Sequence, residues 1–157
     1  MSVTREQLAE RLARDVAGRR VWIDPALADL TAAIAASARR VERLVDAEVA
    51  VLAAEAVGEG GEIVATEPAF RPAGSRWLAW LELEAGGRIV ATVRGPTMAR
   101  ASRIFTELGV LEANPGGGLV IIELAPGVSA VQLQARSEPT LLISPRVDVM
   151  ATAPEGD

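Results

Sequence analysis

Apolar positions recur every three or four residues up to residue 57, and beyond residue 75 they alternate or run in short blocks. The first part therefore predicts helices and the second strands. Within Thr4 to Ala17, Leu8, Leu12 and Val16 repeat at every fourth residue while Arg5, Glu6, Glu10, Arg11, Arg14 and Asp15 occupy the other sides. That is the pattern of an amphipathic helix, and Gly18 ends it. Asp24-Pro25 predicts a second start, with Asp24 capping free amides and Pro25 at the first helical position, where its missing N–H costs nothing. From there one stripe runs through Leu27, Leu30, Ile34, Ala38, Val41, Val45, Val49, Leu52 and Ala56. Its mean step is closer to the about 3.67 of an eleven-residue repeat than to the about 3.5 of a heptad, which predicts a long, nearly straight helix lying on a surface. Such a helix over 25–57 would reach roughly 45 to 50 Å, more than a compact domain of this size spans. Two resolutions stay open: a break near Ala35 to Ala38 that folds it into a hairpin, or a protruding helix paired with another subunit.

Gly58, Gly60 and Gly61 stop this region, and residues 58–75, with Pro68 and Pro72, form a connection. A hairpin over Arg76 to Arg94 follows, turning at Ala85-Gly86-Gly87. That turn pairs Leu83 with Ile89, Leu81 with Ala91 and Ala79 with Val93 on an apolar face; Glu84 with Arg88, Glu82 with Val90, Trp80 with Thr92 and Leu78 with Arg94 share the other face. Thr97 caps a predicted helix carrying Met98, Ala101, Phe105 and Leu108. Strands are expected at Leu119 to Leu124, Ala130 to Arg136 and Leu141 to Met150, the last kinked or at an edge because of Pro145. The fold class is therefore α+β: N-terminal helices packed on a mainly antiparallel sheet, with a helix between the hairpin and three later strands. Residues 1–150 form one domain, helical over 1–57 and sheet-rich over 76–150, and the tail 151–157 is expected to be disordered.

Chemistry narrows the reading further. The 157 residues include no His, Cys or Tyr, and all 16 basic residues are Arg. Proton transfer or nucleophilic attack is left to Asp, Glu, Ser, Thr, main-chain groups or water, so the expectation is no enzyme, no metal and no cofactor. A net charge of −5 opposes nucleic acid and anionic membranes. No apolar run is long enough to span a bilayer, which predicts a cytoplasmic protein. Pro115-Gly116-Gly117-Gly118 precedes a strand and lacks a Lys, so it reads as a turn and not as a phosphate loop. Glu82, Glu84, Glu107, Glu123 and Asp148 read as solvated charges. Arg39, Arg40 and Arg43 are candidates for contact with an anion or an acidic partner. Trp77 belongs to the core, whereas Trp22, Leu78, Trp80 and Arg94 are candidate interface residues, since Trp is enriched at interfaces.

The order of hairpin, helix and three strands, with LVIIELAPGVSAVQLQARSEPTLLIS at 119–144, resembles the roadblock/dynein light-chain family over residues 76–150. The chain departs from that family in its N-terminal helices, the Pro-containing insertion and the lack of a helix after Met150. The resemblance implies a homodimeric scaffold that regulates small GTPases or organises complexes; secretion chaperones of similar size and acidity are an equal analogy. The resulting expectation is a non-enzymatic, oligomerising binding or assembly module with a protein partner, no nucleic acid and no membrane. Two alternatives stand beside it. One is a small-ligand-binding or lyase-like domain whose pocket, between sheet and long helix, is lined by Arg94 and a glutamate such as Glu82; the other is a structural subunit of a larger particle.

Overall fold

The computed structural model describes residues 2–65, 76–93 and 99–150. Helix α1 (Arg5–Val16) starts where the pattern places it: the Gln7 amide donates to Thr4 Oγ1 at 3.1 Å while the Thr4 amide donates to Gln7 Oε1 at 2.9 Å. This reciprocal cap satisfies two otherwise free N–H groups. Leu8, Leu12 and Val16 are buried beneath the helix. After β1 (Arg20–Ile23), Asp24 caps a short 3₁₀ turn (Pro25–Leu30) that runs into α2 (Thr31–Ile34). The chain then forms β2 (Arg39–Arg40), a second 3₁₀ turn (Leu44–Asp46) and β3 (Val49–Gly58).

No long helix forms over 25–57. The apolar stripe that predicts one is explained by β3, which is buried over Val49 to Leu52 and again over Ala56 to Gly58. A strand covered on both faces has no reason to alternate, so its continuous Val/Ala/Leu run imitates one side of a helix.

β4 (Glu62–Ala65), β5 (Arg76–Trp80), β6 (Arg88–Val90), β7 (Ala99–Thr106), β8 (Gly109–Ala113), β9 (Leu119–Leu124), α3 (Ala130–Gln134) and β10 (Leu142–Val149) complete the described elements. The fold is α+β with a mixed ten-stranded sheet. β1, β2, β3, β5 and β7 run parallel. β7, β8 and β9 form an antiparallel meander, with β10 parallel to β9 at the edge. β4 and β6 pair with the second half of β3, antiparallel and parallel respectively.

Three further expectations are corrected. The 76–94 hairpin does not form: β5 lies between β3 and β7, and β6 pairs with β3. The Arg-Trp-Leu-Ala-Trp run of β5 is buried at four of five positions, as a central parallel strand requires. The predicted helix around Phe105 is β7, its proposed start at Thr97 and Met98 lying outside the described residues. Ala130 to Gln134 is helical because Ser129 and Gln132 cap one another, a local signal stronger than the alternation of Val131 and Leu133. The strand at Leu119–Leu124 forms as expected, and the tail lies outside the described residues. A single hydrophobic cluster runs from Val3 to Met150.

Candidate active site at the carboxyl ends of the parallel strands

In an open sheet of parallel strands, ligands bind beyond the carboxyl ends, where neighbouring chain segments diverge. Here that place is midway along β3. Its first half pairs with β1 and β5, and its second half with β4 and β6. The changeover falls at Glu55. Ala54 is opposite Ala65 and Ala56 opposite Val64, so Glu55 is the extra residue of a bulge. A bulge re-aims the side chain it carries. Glu55 is exposed, and among the described residues its carboxylate accepts no hydrogen bond and forms no ion pair. It lines two adjoining cavities, of about 440 and about 510 Å³, and Arg88 lines both with it.

The first cavity is framed by α1, the turn after β1 and the loop joining β5 to β6. Asp24, at the end of β1, holds that turn against β3: its carboxylate accepts from the amides of Ala26 and Ala53, each at 3.0 Å. Arg5 projects from the first turn of α1, its guanidinium 5.9 Å from the Trp80 ring centroid. Arg5 donates to Glu82 and pairs with Asp29 at 3.1 Å; Trp80 Nε1 donates to the same Glu82 oxygen at 2.8 Å. Glu82 is therefore held from two directions, with its other oxygen uncommitted among the described residues.

The loop itself is anchored. The Leu83 amide donates to Glu107 Oε1 at 2.7 Å, and Arg136 donates to the Leu83 carbonyl at 2.6 Å. Gly87 is obligatory, because a β-carbon there would lie 2.7 Å from the Glu82 carbonyl oxygen. Besides Glu55 and Arg88, the second cavity is lined by Val64, Val90, Thr92 and Val93, with Glu138 at one side.

The candidate site residues from the sequence fall in separate places. Leu78 and Trp80 are buried and offer no free surface within the chain, although Trp80 lines the first cavity. Trp22 is half-buried on β1, and Arg94 lies outside the described residues. Arg39 and Arg40 form the exposed edge strand β2, with Arg43 just beyond it. Arg20 is level with Arg39, next to Glu48 at the amino end of β3. This places the arginines roughly 20 Å from Glu55 at about 3.3 Å per strand residue. Glu82 reaches a cavity, though not one between sheet and long helix. Glu123 is not solvated: it is buried against Arg11. Among the described residues no cluster of metal-ligating side chains exists, and no helix is long and apolar enough to cross a membrane.

Glu55, Arg5 and Arg88 did not stand out in the sequence as a group. One signal was available: Glu55 is the single charge in the apolar run from Val49 to Val57, and a lone carboxylate in a strand otherwise buried demands a reason.

No family model matches the chain, and no curated protein does. Solved structures do match. A chain of the decarboxylase AibA/AibB is 15% identical, with a TM-score of 0.71, over 96% of this chain and 89% of that one. Glutaconate coenzyme A-transferase from Acidaminococcus fermentans is 8% identical, with a TM-score of 0.71, over 97% and 90%. IpdAB from Rhodococcus jostii RHA1 is 12% identical, with a TM-score of 0.67, over 99% and 91%.

These similarities overturn the roadblock/dynein light-chain resemblance. The shared fold covers nearly the whole chain, including the β1 to β3 region that the resemblance left out. They also overturn the non-enzymatic scaffold and the no-enzyme expectation, since chains of this fold occur in a transferase and a decarboxylase. Missing His, Cys, Lys and Tyr was too blunt a criterion, because a carboxylate can be the nucleophile.

Proposed function

We propose that the chain is a subunit of an enzyme acting on coenzyme A thioesters, with Glu55 as the attacking carboxylate. The observation that carries this reading is the Glu55 carboxylate on a bulge, uncommitted among the described residues and shared by two cavities at the carboxyl ends of the parallel strands. The fold shared with glutaconate coenzyme A-transferase supports the substrate class. A Glu55 oxygen attacks the thioester carbonyl carbon, the C–S bond breaks, and the thiolate leaves with the electron pair, giving a mixed anhydride. The thiolate then attacks the Glu55 carboxyl carbon and expels the acyl group as a free carboxylate, leaving a thioester on Glu55. An acceptor carboxylate runs the same two steps in reverse. No base is needed at any step, in keeping with a chain that has no His.

Arg88, which lines both cavities with Glu55, offsets the negative charge that builds as carboxylate or thiolate attacks, and Glu82 and Trp80 give the first cavity a fixed polar wall. Exposed Leu142, Ile143 and Val149 on β10 support contact with a protein partner. The test is to mix the full chain with butyryl-CoA, reduce with borohydride and map peptides by mass spectrometry. Reduction products at Glu55, absent in a folded Glu55→Gln variant, are expected. An unlabelled Glu55, or label at another carboxylate, overturns the assignment.

A further inference from the structure

We infer that the second cavity binds the carboxylate acceptor, that this acceptor is a short aliphatic monocarboxylic acid, and that Arg88 holds its carboxylate. The inference rests on the transfer reading of Glu55 and goes further by naming the acid. Arg88 is the only cationic side chain on this cavity among the described residues, and it makes no hydrogen bond or ion pair there. A guanidinium left free beside a carboxylate nucleophile matches what transfer between acids needs. In the resting chain an acid in this cavity lies beside the Glu55 anion, and during transfer it attacks the Glu55 thioester and passes its negative charge to the leaving thiolate; a facing cation offsets the charge in both states. The planar donor fork of Arg fits a carboxylate in bidentate fashion.

The rest of the lining selects the acid. The lining is mainly polar, and Val64, Val90 and Val93 make up a smaller apolar part of it, enough for a short alkyl group and not for a long one. Glu138 closes one side, its carboxylate fixed by the Ala91 amide at 3.1 Å. A second carboxylate on the ligand would meet that anion, and among the described residues no second cation offsets it, so dicarboxylates are disfavoured. The same reasoning disfavours the phosphates of a nucleotide: among the described residues the charged groups on this cavity are Glu55, Glu138 and Arg88, two negative against one positive.

Binding of isobutyrate, glutarate and the neutral isostere isobutyramide to the full chain, measured by saturation-transfer NMR, tests this. Isobutyrate is expected to bind at least about tenfold more tightly than isobutyramide, and Arg88→Ala to lose that preference while Arg88→Lys keeps part of it. Glutarate is expected to bind more weakly than isobutyrate, and Glu138→Gln, which keeps the acceptor for Ala91, to narrow the gap. Unchanged isobutyrate binding in Arg88→Ala, or glutarate binding tighter than isobutyrate, overturns the inference. If Arg88→Ala does not fold, the glutarate comparison in Glu138→Gln decides. Labelling of Glu55 by butyryl-CoA together with Arg88-independent acid binding removes only this inference. Arg88-dependent acid binding with no Glu55 label removes the transfer reading and leaves the acid site standing.

Discussion

Helix α1 sends two arginines to carboxylates in very different surroundings. Arg11 is buried, its Nε within 2.9 Å of both Glu123 oxygens, and it also donates to Asp15 at 2.8 Å; Asp15 pairs in turn with Arg103 at 2.9 Å. Arg5, six residues earlier, bridges Glu82 and Asp29 at the rim of the first cavity, with 41% of its side chain exposed. Burial penalises the charged form of Arg11, but hydrogen bonds and attraction from Glu123 and Asp15 outweigh that penalty and raise its pKa. The inner network ties α1 to β9 and β7 and is structural. The outer one leaves a Glu82 oxygen free and can serve a ligand, because a group fully consumed by its neighbours has nothing left to offer.

The largest effect expected from this contrast is on stability. Arg11→Ala leaves Glu123 as a buried carboxylate without its main partner, which costs about 3 to 5 kcal/mol. Chemical denaturation measures it. Replacing both partners, with Arg11→Met and Glu123→Leu together, removes the unpaired charge and should recover most of that loss. A double variant as unstable as Arg11→Ala would show that shape, and not charge pairing, makes this contact matter.

Both networks were hard to see in the sequence for one reason: they join residues far apart along the chain. The helix from Thr4, the cap at Asp24-Pro25 and the bounds of β9 were legible, since amphipathic spacing, a capping residue before proline and a short Val/Ile block act locally. Misreading β3 as helix hid the site. In a helix over 25–57, Glu55 is one more polar position, whereas in a parallel strand it is the residue that bulges where pairing changes from β5 to β6. The alternation across 76–94 misled in a similar way. It describes two buried strand segments correctly, but each takes β3 as its neighbour and not the other segment.

A smaller stability effect is expected from the outer network. Arg5→Ala breaks pairs that are substantially solvated, so its cost should stay below about 1 kcal/mol. Its consequence lies in the cavity. Trp80 loses the guanidinium over its ring, and Glu82 keeps only the indole N–H. The expected readings are a change in tryptophan emission and weaker acyl labelling at Glu55, with a denaturation midpoint close to that of the parent chain. Destabilisation as large as that of Arg11→Ala would erase the distinction between the two arginines.

The smallest effect concerns Glu48, at the opposite end of β3 from the site. The Arg20 backbone N–H, 3.0 Å from Glu48 Oε1, holds its carboxyl below the ordinary value; attraction from the Arg20 and Arg19 side chains adds to this, and partial desolvation opposes it. A carboxyl whose pKa is lower in the folded than in the unfolded chain contributes stability that is present above the unfolded pKa and is lost as pH falls through the folded one. Glu48→Gln keeps an acceptor for the Arg20 amide and removes the charge. The parent chain should therefore be slightly more stable than the variant near neutral pH, with the difference vanishing as pH drops below the usual carboxylate range. Denaturation series at several pH values read this directly, and carboxyl NMR titration places the Glu48 midpoint. A stability difference that stays constant down to the acid end would mean that charge plays no part at this edge, and that the neighbouring arginines stand free of Glu48.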